Sequence, residues 1–185
     1  MDKKRCLWAP ANDPLYIQYH DEEWGVPIHD DRQLFEMLIL EGMQAGLSWI
    51  TVLRKREGFR KAFDNFDIDK ILTYDEQKIE ELVKNPEIIR HRLKITSVIK
   101  NARVFRDIQN EYDSFDKFIW SYVDYKPIVG NWQKPDDMPL TTPISDKISK
   151  DLKKMGFKFV GSTIIYSFMQ AVGMVNDHMA DCFCQ

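Results

Sequence analysis

Apolar residues recur at three- and four-residue spacing along most of the chain, the period of amphipathic helices rather than the alternation of half-buried strands. Over 31–40, Leu34, Phe35, Leu38 and Ile39 share one face, with Asp30 or Asp31 placed to cap the start. The run from Trp49 through Leu53 predicts a second helix, whose basic end at Arg54, Lys55 and Arg56 suits the negative C-terminal dipole. The pattern predicts further helices over 75–84, 87–108 and 113–123. Periodicity then fails over 125–143, where Pro127, Gly130, Pro135, Pro139 and Pro143 fall. A connection of that length in a compact domain is either functional or peripheral. Helical spacing resumes at Ser145, a candidate cap, continues through Leu152 and stops at Gly156. No segment has the alternating, β-branched character of several strands, and there is neither an internal repeat nor a low-complexity tract. The expectation is one all-α domain over residues 1–185.

Composition narrows the class without naming a chemistry. With 44% hydrophobic and 12% aromatic residues, 185 residues can bury a substantial core, which argues against disorder. Lys and Arg total 26 against 29 Asp and Glu, a formal charge of −3, so any nucleic-acid face must be a local patch. Apolar runs such as Met37-Leu38-Ile39-Leu40 stop at charges, here Glu41, far short of a membrane span. The opening MDKKRCLWAP has charges but no following apolar stretch of signal-peptide length, so the expected compartment is the cytoplasm. Three cysteines, an odd number, do not read as a disulfide framework and direct attention to metal or thiol chemistry.

Three groups of residues could carry function. The first is the stretch 152–172, a helix, a tight connection with Gly156 and Gly161 at its ends, and a second helix: the pattern of a helix-hairpin-helix. Gly156 suits a left-handed C-cap, and Gly161 allows close backbone approach at the next helix start, where free N–H groups fit a phosphate oxygen. Lys153, Lys154 and Lys158 add cationic charge. An ordinary turn between packed helices has the same pattern. The second group stands near the chain ends: Cys6 and His20, then His178 and Cys182 one helical turn apart. Two sulfurs and two imidazoles make a closed tetrahedral zinc set, while buried thiols beside core histidines are the plainer account. The third is Glu41 at the edge of an apolar run, with Tyr16, Tyr19, Trp24 and Trp49 near it in sequence. Aromatic faces and one carboxylate suit a flat cationic ring. Core aromatics with a solvated helix-end glutamate fit the same residues.

Several long motifs in order, DPLYIQYHDEEWGVP (13–27), LFEM (34–37), QAGLSWITVL (44–53), IIRHR (88–92), GFKFVG (156–161) and VNDH (175–178), make the chain resemble the 3-methyladenine DNA glycosylase I family almost end to end. The resemblance implies a helix-hairpin-helix glycosylase fold and a structural zinc on Cys6, His20, His178 and Cys182, with Cys184 outside the set. It implies a monofunctional enzyme that flips 3-methyladenine out of alkylated double-stranded DNA and releases it by hydrolysis, leaving an abasic site. Glu41 is the implied catalytic and base-recognising residue, and Tyr16, Tyr19, Trp24 and Trp49 the base-binding set. Gln44 and Leu47 match the segment that wedges into the gap in DNA, and Gly156, Lys158, Gly161 and Ser162 the backbone clamp. Asp177 is tempting by spacing as the aspartate of related enzymes, but this family is regarded as lacking that residue in its usual role, and it is left unassigned. A monomer without an obligatory protein partner is expected. Two rival readings are a non-catalytic DNA-binding module using Arg54, Lys55, Arg56, Arg90 and Arg92, and a thiol redox protein built on Cys182 and Cys184.

Overall fold

A helix that periodicity does not reveal comes first: Asp13, in extended conformation, accepts the Tyr16 amide and starts α1 (Pro14–Glu22), with proline in its first turn. Its apolar and aromatic residues are spread around the helix with no single stripe, and of its length only Tyr19 and His20 are buried. The computed structural model describes residues 3–185. Next, α2 (Asp31–Met43), capped by Asp30, runs three residues beyond the predicted end. Every residue from Leu34 to Met43 is buried, so α2 is the central strut of the molecule rather than a one-sided surface helix. Phe66 and Phe105 pack on Phe35 of α2, and Phe115 stacks on Phe105 behind them.

The basic triplet does not end one helix. It lies across the junction of α3 (Trp49–Arg54) and α4 (Arg56–Ala62), with Lys55 between them outside helical geometry. Two short helices follow, α5 (Ile68–Ile71) capped by Asp67 and α6 (Glu76–Lys84) capped by Asp75. The helix expected over 87–108 begins later, as α7 (Arg92–Tyr112), because Asn85 Oδ1 draws the Glu87 amide into a local turn and His91 supplies the cap. Pro86 also bars a helical residue before it. That turn lies on Gly58, where a Cβ would stand 2.3 Å from the Glu87 carbonyl oxygen. Asp113 then takes a left-handed conformation, so the expected 113–123 segment starts only at α8 (Phe115–Trp120), capped by Ser114.

The proline-bearing stretch 125–143 is stitched down instead of loose. Its strand β1 (Ile128–Val129) pairs in parallel with β2 (Val175–Asn176), and an isolated bridge joins Trp132 to Met179. These two-residue strands were not predicted; they are too short for any alternation to register. Thr142, not Ser145, caps α9 (Pro143–Met155), and Ser145 closes the reciprocal half of the capping box. Gly156 ends α9 with φ of +106°, as its position predicted, and α10 (Ser162–Ala171) begins after Gly161. Helices α9 and α10 pack on each other, and α10 packs on α2. Among the described residues no helix is long and apolar enough to cross a membrane.

Candidate base pocket and metal cluster

The C-terminal half of α2, the body of α1, the start of α3 and one side of α10 surround a cavity of about 200 Å³. Tyr16, Tyr19, Trp24, Glu41 and Trp49, grouped from their residue types, all line it, and so does Gln44, which the resemblance assigned to the turn that enters DNA. The helical register explains the convergence. Glu41 lies one turn beyond Met37 and Leu38 on a helix buried all round, so its side chain meets the cavity rather than the outer surface, and the residue is 3% exposed. Burial alone drives its pKa up, to about 8. Its Oε2 and the indole Nε1 of Trp49 have no hydrogen-bond partner among the described residues. Two orphaned polar atoms in one aromatic cavity are costly without a ligand, which is the usual mark of a site shaped for something else.

The aromatic walls are packed tightly. Tyr19 and Trp49 rings lie 5.3 Å apart, and Trp8 meets Trp24 edge-on at 4.8 Å and Tyr16 at 5.3 Å. Burial raises the pKa of both tyrosines, with the Glu41 carboxyl adding to the effect, so their hydroxyls stay protonated donors. A second hollow of about 220 Å³ shares Glu41, Gln44 and Ser167 with the first and extends it past Ala45, Gly46 and Leu47 to Thr163. Leu47, at the tip of that turn, is 43% exposed and stands beside the hollow.

Behind Trp24 lies the cluster formed by the chain ends. Ligating atoms of Cys6, His20, His178 and Cys182, all buried, stand within 4.8 Å of one another and could hold a metal ion. The two sulfurs face the imidazole nitrogens: Cys6 Sγ to His178 Nδ1 is 3.6 Å, Cys182 Sγ to His178 Nδ1 is 3.5 Å, and Cys182 Sγ to His20 Nε2 is 3.5 Å. Each imidazole is aimed from its far side. His178 Nε2 lies 2.9 Å from the Trp24 carbonyl oxygen, and His20 Nδ1 lies 2.8 Å from Asp21, whose carboxylate Arg5 holds in turn. The Arg5 hydrogen bonds keep the Asp21 pKa down at about 2. The Met179 amide donates to Cys6 Sγ and the Cys184 amide to Cys182 Sγ. Cys184 itself stays outside the four, and no disulfide joins the cysteines.

At the α9–α10 turn, Gly161 begins α10 with no side-chain cap, and a Cβ there would meet open space. The Lys158 backbone is fixed by Asn101, while the Ser162 hydroxyl bonds to Ser145 and Asp146. The arginines of the basic segments are largely paired: Arg54 with Asp13, Arg56 with Glu23, and Arg92 with Glu76 and Glu80. Asp177 is buried and accepts from Trp132 Nε1 at 2.7 Å, Gln170 Nε2 at 2.8 Å and the Tyr166 hydroxyl. With one donor from the 125–143 segment and two from α10, it ties that segment to α10; it does not itself line the cavity, although its partner Gln170 does.

A methyladenine glycosylase family profile matches residues 8–185. The chain belongs to that family. It is 52% identical over 181 residues to DNA-3-methyladenine glycosylase 1 of Escherichia coli strain K12, covering 98% of this chain and 96% of the relative. A crystal structure of a 3-methyladenine DNA glycosylase I superposes with a TM-score of 0.96 at 54% identity, over 98% of this chain and all of the other. A variant of such an enzyme in complex with 3-methyladenine matches at a TM-score of 0.93 and 37% identity, covering 97% of this chain and 96% of that one. Within this family member, four cavity residues escape a sequence reading: Trp8, Met138, Ser167 and Gln170. Ser167 and Gln170 are i and i+3 on α10, so only the tertiary placement of that helix exposes them as a wall. Met138 comes from the irregular stretch, and Trp8 is an isolated indole that no periodic segment could orient.

Proposed function

We propose that this protein is a monofunctional DNA glycosylase that removes 3-methyladenine from alkylated double-stranded DNA. The observation that carries the reading is the buried Glu41 carboxyl with an unpartnered oxygen inside an aromatic cavity, beside the unpartnered Trp49 indole N–H. Methylation at N3 makes adenine cationic, and a cationic ring between aromatic faces and a carboxylate gains what neutral adenine does not. Glu41, neutral in the free pocket at pH 7, gives up its proton to solvent when the cation binds, so selectivity follows from charge rather than from a tight shape alone. The N9–C1′ bond breaks with its electron pair passing to the base, which leaves neutral and needs no proton. Water adds to C1′ and gives up a proton to solvent. None of the residues lining the cavity is a lysine, in keeping with hydrolysis rather than a Schiff base.

The base must first leave the duplex, and its lost stacking is offset by Trp49, Tyr16, Tyr19 and Trp24. Leu47, exposed on its turn next to Gln44, fills the gap, and the α9–α10 pair acts as a helix-hairpin-helix that holds a phosphate on the first amides of α10. Cys6, His20, His178 and Cys182 hold a structural zinc. Zinc bonds of about 2.3 Å to sulfur and 2.0–2.1 Å to nitrogen give a tetrahedral S···N edge of about 3.5 Å. The three S···N separations of 3.5–3.6 Å fit that edge. The ion would tie the chain ends together and take no part in the reaction. The test is chromatographic: free bases released from methylated duplex DNA, wild type beside Glu41→Gln. Selective 3-methyladenine release that collapses in the variant supports the reading, and no release by folded wild type refutes it.

A further inference from the structure

Helix α7 lines none of the cavity, yet two buried polar residues seven apart on it reach the two turns assigned to DNA. Lys94, 6% exposed, donates from Nζ to the carbonyls of Met43 at 2.8 Å and Ala45 at 2.6 Å, the last residues of α2 and the turn that carries Gln44 and Leu47. Asn101, 3% exposed, grips the backbone of Lys158 in the α9–α10 turn twice: its Oδ1 accepts the Lys158 amide at 2.8 Å and its Nδ2 donates to the Lys158 carbonyl at 3.0 Å. Seven residues are two helical turns, so the two anchor points lie on one face about 10 Å apart along the axis. The turns also touch directly, since a Cβ on Gly42 would sit 3.3 Å from Phe159 Cβ.

We propose that Lys94 and Asn101 are positioning residues that set the spacing between the base-displacing turn and the phosphate-holding turn, a role that rests on the function proposed above. A DNA duplex fixes the distance between a phosphate and the gap left by a displaced base. A protein that must meet both needs its two turns held to within about half an ångström, and side-chain hydrogen bonds to turn carbonyls from a rigid helix provide that. Neither residue lines the cavity, so free-base binding is expected to depend on them far less than excision from duplex does. Both act on a single quantity, the separation of the turns, so losing either has the consequence of losing both.

The experiment uses the full chain with Lys94→Met, Asn101→Leu, the double variant, and the isosteric Asn101→Asp, which keeps the Lys158 amide bond and loses the donor. Free 3-methyladenine affinity, read by tryptophan fluorescence, is expected to stay within twofold of wild type in each variant that melts cooperatively. Excision from alkylated duplex is expected to lose at least tenfold in kcat/KM, mainly through KM, in Lys94→Met and Asn101→Leu, with a loss in the same direction for Asn101→Asp. The double variant should lose no more than the worse single. Unchanged excision, an equal fall in free-base affinity, or losses that multiply in the double variant would each overturn the bracing role. Anisotropy on undamaged duplex, run in parallel, separates the two hypotheses. Wild type that binds duplex but releases no base refutes the glycosylase reading, and the bracing role is then judged by whether the variants lose duplex affinity.

Discussion

Replacing Glu41 by Gln should change the protein's stability by an amount that rises with pH in a defined way. The carboxyl is 3% exposed and its pKa is raised by burial from 4.5 to about 8. Below pH 4.5 it is protonated in both the folded and the unfolded chain and contributes nothing to the pH dependence. Between 4.5 and about 8 the unfolded chain ionises while the folded one does not, so folding is penalised by about 1.4 kcal/mol for each pH unit. At pH 7 the penalty is about 3 kcal/mol, and it levels off above pH 8. Glutamine has no such titration. Its amide meets the same unpartnered surroundings, which costs about 1–3 kcal/mol at every pH. The difference in unfolding free energy between variant and wild type, from urea titrations at pH 5, 6, 7 and 8, is therefore expected to rise with a slope near 1.4 kcal/mol per unit whatever its offset. Other titrating groups, the histidine and cysteine cluster included, cancel in the difference. A flat difference would mean that Glu41 is already ionised in the empty pocket, and the charge-based selectivity would lose its basis.

Three further outcomes follow from the geometry. Cys6→Ser should remove the stoichiometric zinc seen by elemental analysis and lower the Tm by roughly 10 °C, since the ion's binding energy is also folding energy; a metal-free wild type of unchanged stability would refute the assignment. Trp8→Ala should weaken free 3-methyladenine binding about tenfold by fluorescence titration, as expected for the loss of one aromatic wall worth about 1–2 kcal/mol. Wild-type affinity in that variant would show that Trp8 only supports Trp24. Gly161→Ala should melt within about 2 °C of wild type, because its Cβ meets open space and its φ of −60° suits any residue, while duplex affinity measured by anisotropy falls several-fold. A loss of stability without a loss of affinity would mark the turn as structural only.

Much of this molecule is legible before its structure, for identifiable reasons. The α2 helix announces itself because Leu34, Phe35, Leu38 and Ile39 repeat at helical spacing, and Gly156 marks a helix end that is found there with positive φ. Cys6, His20, His178 and Cys182 could be grouped by residue type as a candidate zinc set, but only the resemblance favoured that set over buried thiols and core histidines, because nothing local links residues 172 positions apart. The helix α1 stayed hidden because its buried side is two residues, Tyr19 and His20, and its stability comes from the Asp13 cap and from tertiary contacts. The start of α7 was misplaced by a turn's worth of residues because Asn85 and His91 compete for backbone amides in a way apolar spacing does not record. The bracing by Lys94 and Asn101 is equally silent in sequence: both are polar residues on the buried side of a helix, legible only when their carbonyl and amide partners are in place.

The meeting of the chain ends behind Trp24 bears on truncation as well as on stability. The Trp24 carbonyl is held by His178, and Cys6 by the Met179 amide, so the wall of the cavity built from residues 8–24, tied to α3 and α4 through Asp13 and Glu23, is also pinned from behind by residues 178 and 179. Residues 178 and 179 must therefore be in place before the wall is pinned from behind. A product cut short before residue 178 would keep the helices through α10 but lack both bonds, so this side of its cavity would rest on fewer restraints.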